Sequence, residues 1–213
     1  MKEYRKKMIL LQIVIKRIID ILFAIILLIL LTPVFLVIAI CIKLDSKGSV
    51  FFIQNRLGKD GRIFKMYKFR SMKQNAEDIR SEDGSTYNSG TDPRVTRVGS
   101  VLRNTSLDEL PQLINILKGD MSFIGPRPDL PDHFTLYTEY EKNKLKVKPG
   151  ITGYAQVLGR NSILWKDRIK LDIYYIDNYS LLLDFKILLL TVVAVFKKEG
   201  IYVKSENNTD NTV

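Results

Sequence analysis

Two adjacent carboxylates invite chemistry first. Asp108 and Glu109 stand in the run Arg103-Asn104-Thr105-Ser106-Leu107-Asp108-Glu109-Leu110-Pro111-Gln112-Leu113. An aspartate can attack phosphorus as a covalent nucleophile, and hard divalent cations prefer carboxylate oxygens. Neighbouring helical positions diverge by about 100°, so the two groups would take different roles rather than share a proton. A purely structural reading competes with this one. Ser106-x-x-Glu109 has the form of a capping box, and acidic residues in a first turn complement the helix dipole.

Cations in Gly- and Pro-punctuated stretches surround the pair in sequence: Lys68 and Arg70 in KFRSM, Arg94, Arg97, Arg103, Arg127 in GPRP and Arg160 in GRN. Guanidinium forks match phosphate oxygens bidentately. Any one of these taken singly reads as a solvated surface charge, but several together point to phosphate chemistry. No P-loop, GxGxxG or nucleophile elbow occurs, which argues against a standard nucleotide hydrolase or a dinucleotide enzyme. The single Cys41 and single His133 exclude a disulfide framework, a cysteine zinc site and a multi-histidine centre. They do not exclude a metal held by carboxylates.

The elements that must position these groups begin with a membrane segment. The 213 residues suffice for one domain with a buried core. Residues 1–73 hold fifteen Lys/Arg against four Asp/Glu, while residues 74–213 hold eighteen against nineteen. The whole positive excess therefore flanks the one strongly apolar run, Ile21–Ile42. Basic residues beside an apolar anchor suit an anionic membrane surface, each worth on the order of 1 kcal/mol. A nucleic-acid interface would instead place the excess on a folded face with aromatics interleaved, so no nucleic-acid partner is expected.

Thr32-Pro33 lies at the centre of the run, where proline removes a donor and crowds the carbonyl of Ile29. Both flanks are basic: Lys2, Arg5, Lys6, Lys7, Lys16 and Arg17 before, then Lys43, Lys47 and Arg56 after. The positive-inside rule places both on the cytoplasmic side. A Pro-broken re-entrant helix over 18–44 satisfies both observations, and a straight bitopic anchor is the alternative. A cleaved signal peptide does not fit so long a run without an A-x-A-like end.

Downstream, Ser49–Gln54 and Arg62–Arg70 read as strands joined by a hairpin at LGKDG, and residues 80–93 read as a loop. Leu110, Leu113, Ile114 and Leu117 predict a helix over Leu107–Lys118 ended by Gly119. Gly125–Pro128 predicts stiff extended backbone. Helices are expected at about Thr135–Lys146, over Trp165–Asn178 and over Asp184–Lys198. The last is too short to span and is either core or interfacial, with the interface favoured by the neighbouring anchor.

On these residues the chain resembles the bacterial sugar transferases, the monotopic polyprenyl-phosphate phosphoglycosyl transferases. The matching stretches are Ile18-Ile19-Asp20, Thr32-Pro33, Tyr67–Met72, Asp92–Thr96, Thr105–Leu113, Gly119–Pro128, Lys148–Gly153 and Gly159-Arg160-Asn161, in order from about Lys16 to Lys198. The pairing of SLDELPQL with GDMSFIGPRP is the most specific of them. The resemblance implies a small α/β catalytic domain on the cytoplasmic face of the cell membrane. The anchor would be a re-entrant membrane helix broken at 32–33, where Thr replaces the commoner Ser, with interfacial amphipathic helices beside it. The implied division is a basic flank at 1–17, the membrane helix at 18–44, the catalytic domain at 45–204 and a disordered tail at 205–213.

The implied reaction transfers a sugar-1-phosphate from a UDP-sugar to undecaprenyl phosphate with Mg²⁺, releasing UMP, as the first membrane step of exopolysaccharide, capsule or glycoconjugate synthesis. By the same resemblance Asp108 is the nucleophile and a metal ligand, and Glu109 is a base or an orienting group. Arg103, Arg127, Arg160 and Lys68 would hold phosphates. Family members often carry a Glu shortly after the PRP motif. Here the stretch reads Asp129-Leu130-Pro131-Asp132, and no catalytic role is expected there.

Overall fold

The computed structural model describes residues 2–80, 87, 89, 91–159 and 163–197, with side chains from Lys7 to Ala194. A long helix, α1 (Lys2–Asp45), takes in both the basic flank and the apolar run. Among the described residues it is the one helix long and apolar enough to cross a membrane. The expected break at Pro33 is absent, because the helix continues through it. Pro33 costs the ladder a single donor, and the Thr32 hydroxyl donates to Leu28 O at 2.7 Å one turn back. Side chains on both sides of the proline pack on the domain: Leu27, Leu28 and Leu31 rest on one core cluster and Phe35 on another.

One side of α1 is covered by the domain along most of its length. Gln12 Oε1 accepts from Leu181 N at 3.2 Å, Lys16 pairs with Asp184 at 2.5 Å, and Asp20 Oδ1 accepts from Phe123 N at 3.2 Å. At the far end Ile38 and Ile42 are buried, and Asp45 Oδ2 accepts from Val98 N at 3.0 Å. The opposite side exposes Leu22, Phe23, Ile26, Ile29, Leu30, Val37 and Ile40.

The domain opens with the expected hairpin, β1 (Phe51–Leu57) antiparallel to β2 (Ile63–Phe69), in register Phe51↔Phe69 to Leu57↔Ile63. Alternation along β2 buries Phe64 and Met66, so Lys68 leaves the same face at the margin of the core. Helix α2 (Arg97–Thr105) was not foreseen. Thr96 caps it, accepting from Gly99 N at 3.0 Å. A Cβ on Gly99 would come within 1.9 Å of Ser71 O, so only glycine lets α2 lie this close to the end of the hairpin.

The helix expected over Leu107–Lys118 divides into a 3-10 turn, Leu107–Glu109, and α3 (Gln112–Lys118). Pro111, which has no amide hydrogen, separates them. Gly119, in the left-handed region at φ 87°, ends α3 as anticipated. The capping box does not form: Ser106 is itself left-handed (φ 59°, ψ 15°), and its hydroxyl makes no cap bond.

β3 (Ser122–Ile124) pairs in parallel with β4 (Gly150–Thr152). The helix expected near Thr135–Lys146 is instead two 3-10 turns, Pro131–Leu136 and Glu141–Lys146. A short α4 (Tyr154–Leu158) precedes α5 (Trp165–Asp177) and α6 (Leu181–Lys197). α6 buries Asp184 and Ile187 against the domain and leaves Leu182, Phe185, Leu189 and Val192 exposed. Residues 81–86, 88 and 90 of the expected loop, Arg160 and the expected tail from 205 lie outside the described residues.

Candidate active site

Asp108 and Glu109 are placed by what precedes and follows them. α2 ends at Thr105, and a left-handed serine is an uncommon and mildly costly conformation. It swings the chain so that the 3-10 turn faces the end of β2. α3 is then locked to that strand by buried Asn115, whose Oδ1 accepts from Tyr67 N (3.0 Å) while Nδ2 donates to Lys65 O (2.7 Å). At the other end of α3, Arg17 of α1 donates to Ile116 O (2.7 Å) and Leu117 O (3.1 Å), satisfying carbonyls a helix C-terminus leaves open. The membrane helix thus holds the element that carries the carboxylates.

Around the pair, Lys68 Nζ lies 2.6 Å from Glu109 Oε1 and 4.0 Å from Asp108 Oδ2. Arg127 Nη1 lies 3.5 Å from the same Glu109 oxygen. Arg103 Nε donates to Ser71 Oγ at 3.0 Å, at the end of the KFRSM stretch. Of the expected site residues, the fold brings together Asp108, Glu109, Lys68, Arg103 and Arg127.

The bacterial sugar transferase family model matches residues 11–198. This chain belongs to that family. The transferase is 45% identical over 188 residues to the uncharacterised sugar transferase EpsL of Bacillus subtilis, covering 88% of this chain and 90% of that one. It is 41% identical over 198 residues to the exopolysaccharide production protein ExoY of Sinorhizobium fredii, covering 88% of each. It is also 44% identical over 195 residues to the UDP-glucose:undecaprenyl-phosphate glucose-1-phosphate transferase of Escherichia coli, covering 88% of this chain and 41% of that one. The transferase therefore spans less than half of that longer relative. It is an enzyme; its relatives are named as an exopolysaccharide production protein and as transferases of sugar phosphates to undecaprenyl phosphate.

Electrostatics divide the two carboxylates of the transferase. Burial pushes the Asp108 carboxyl up, and Glu109's charge adds to this; Lys68, Arg103 and Arg127 pull it back only partly. Burial acts on Glu109 too, but Lys68 and Arg127 outweigh it and hold that carboxyl well below the usual range. Glu109 is thus a fixed anion holding two cations, whereas Asp108 keeps an oxygen not tied up in a short ion pair.

Other cations of the transferase serve the fold. Arg70 is 5% exposed and donates to Ser46 O (2.8 Å) and to Lys47 O, closing the end of α1. Arg94 forms a fork on Asp92, with Nη2 to Oδ2 at 2.6 Å. Asp129 pairs with Lys144 at 2.6 Å. The residue missed was Arg56. As a basic charge after the apolar run it read as membrane flank, yet it packs against the GPRP segment, with Nη1 3.3 Å from Pro128 O. Its place in a strand ending beside a Gly-rich turn was the available signal.

Among the described residues no group of three or more His, Cys, Asp or Glu converges. Mg²⁺ is commonly bound by one or two carboxylates plus substrate phosphates and waters. Asp108 and Glu109 meet that smaller requirement.

Proposed function

We propose that this transferase moves a sugar-1-phosphate from a UDP-sugar to undecaprenyl phosphate in two steps through Asp108. In the first, an Asp108 carboxylate oxygen attacks the phosphorus bearing the sugar. The bond from that phosphorus to the bridging oxygen breaks, and UMP leaves. In the second, an oxygen of the polyprenyl phosphate attacks the same phosphorus, and the aspartyl–phosphorus bond breaks to regenerate the carboxylate. Two half-reactions let a water-soluble donor and a membrane-bound acceptor use one site in turn.

The observation that carries this reading is the asymmetric pair: Glu109 fixed on Lys68 and Arg127, beside an Asp108 with no hydrogen-bonded cation of its own. Glu109 positions the cations that would neutralise the diphosphate, and Arg103 and Lys68 face the attacked phosphate. Arg160 is kept as a phosphate-holding candidate on sequence grounds. Asp108, with Glu109, would hold Mg²⁺, which when bound neutralises phosphate charge.

The reading extends to the membrane. Both ends of the apolar stretch of α1 are bonded to one domain, through Asp20 to β3 and Asp45 to α2. A straight span would carry one of those ends across a hydrocarbon core of about 30 Å. This supports a monotopic placement, with α1 entering and leaving on the cytoplasmic side and the exposed faces of α1 and α6 in lipid. The exposed Lys43 and Lys47 would then meet anionic headgroups.

The test is donor turnover by wild type and Asp108→Asn in the presence of Mg²⁺. Wild type should release UMP and yield a phosphosugar adduct on Asp108 by mass spectrometry. The variant should do neither. Normal UMP release from Asp108→Asn would remove the proposed nucleophile.

A further inference from the structure

We propose that Arg56, with Arg127, forms the subsite for the phosphate of the departing nucleotide, and so fixes which way the diphosphate lies across the site. This rests on Asp108 being the nucleophile toward a nucleotide-diphosphate sugar.

Among the described residues Arg56 makes no ion pair, and only the more distant charges of Asp129 and Glu109 favour it. Nη2 donates to Gln54 Oε1 at 2.6 Å and Nη1 to Pro128 O at 3.3 Å, both neutral acceptors. Nε is buried and has no acceptor among the described residues. The carboxylates near it hold other partners at short range: Asp129 Oδ2 takes Lys144 and Tyr137 (2.6 and 2.5 Å), and Glu109 takes Lys68 and Arg127. Burial, then the like charge of Arg127, hold the Arg56 guanidinium down at about 10. Charge buried without a partner is costly, and a bound anion relieves both that cost and the repulsion between the two guanidinium groups. A small recess lined by Leu57, Gly58, Arg127, Pro128, Asp129 and Lys144 opens beside Arg127.

The contacts also run in a definite order. Asp108 neighbours Lys68, Lys68 bonds Glu109, Glu109 meets Arg127, and Arg56 bonds the carbonyl of Pro128, the residue after Arg127. The phosphorus under attack must lie next to Asp108, at the Lys68 end. The second phosphate then falls toward Arg127 and Arg56. When the bridging bond breaks, that phosphate gains a full negative charge, and a preorganised cation there stabilises the charge as it develops.

Binding of UMP and of uridine to detergent-solubilised full-length protein tests this by calorimetry. Arg56→Gln should bind UMP about tenfold to a hundredfold more weakly than wild type, the range for losing charge-assisted bonds, with uridine binding unchanged. Arg56→Lys, which keeps the charge without the fork, should show an intermediate loss. Arg56→Lys also serves if the Gln variant does not fold, as judged by its thermal transition. Equal UMP affinity in wild type and a folded variant overturns the inference while leaving the Asp108 chemistry intact. A wild type that binds no UMP and forms no adduct overturns the reading beneath it as well.

Discussion

Lys68 Nζ stands 2.6 Å from Glu109 Oε1. That short bond commits Glu109 to an anionic, orienting role and leaves Asp108, at 4.0 Å from the same ammonium, to be attracted without being tied. Paired carboxylates that divide their labour in this way owe it to unequal surroundings, not to their chemistry.

One consequence is a pH limb. Attack needs the Asp108 carboxylate, and burial raises that carboxyl above its ordinary 3.8. The acid limb of adduct formation is therefore expected above pH 3.8. Lys68→Met removes an attraction that lowers the Asp108 value, so it should move the limb to higher pH. It should also reduce the plateau by about 10²–10³, as for a lost electrostatic stabiliser. Single-turnover rates across pH measure both, and a limb that stays put in the variant contradicts the assignment.

A second prediction concerns the buried cluster behind the site. Lys144 pairs with Asp129 at 2.6 Å and with Asp172 at 3.1 Å, with Lys144 and Asp172 nearly solvent-free. Burial pushes Asp172 up to about 6; burial also acts on Asp129, but Lys144 and Tyr137 hold it down at about 2. Between 3.8 and about 6 the folded chain keeps a proton on Asp172 that the unfolded chain has lost, so this group's contribution to stability falls as pH rises. Asp129 behaves oppositely: its contribution is present above 3.8 and lost as pH falls toward about 2. Lys144→Met strands two carboxylates and should cost ~3–5 kcal/mol at neutral pH. Asp172→Asn should cost less and flatten the decline between pH 4 and 6. Chemical denaturation across pH compares them.

Asn115 is the third. It is fully buried and bonds Tyr67 N and Lys65 O. Asn115→Ala leaves two backbone groups unsatisfied, at roughly 1–3 kcal/mol each. Because β2 carries Lys68 and α3 follows Asp108 and Glu109, turnover should fall further than the lost stability explains. Activity measured where the variant is fully folded decides this; full activity there would confine Asn115 to stability.

The fourth is topological. If α1 returns to the side it entered from, tags at both termini should be protected in sealed right-side-out vesicles. Labelling of an N-terminal tag from outside, with the C-terminal tag protected, would mean a spanning helix.

Much of this protein was legible in its residues. Local rules sufficed for the hairpin, for Gly119 ending α3, and for α5, since turn chemistry and periodicity act over a few neighbours. The apolar run and its basic borders announced the membrane helix, and the motifs singled out Asp108, Glu109, Lys68, Arg103 and Arg127. What local rules could not decide was set by distant packing. Pro33 does not interrupt α1, because one lost bond is small beside the side chains of both halves seated on two core clusters of the domain. Ser106-x-x-Glu109 makes no capping box, because Ser106 is left-handed and Glu109 is claimed by Lys68 from forty-one positions away. Arg56 looked like a flanking charge until the chain folded Pro128 against it. Composition and spacing determined which groups were present and what chemistry they could do. Only the tertiary structure decided which cation meets which carboxylate, because ion pairs and burial depend on separations in space that sequence distance does not encode.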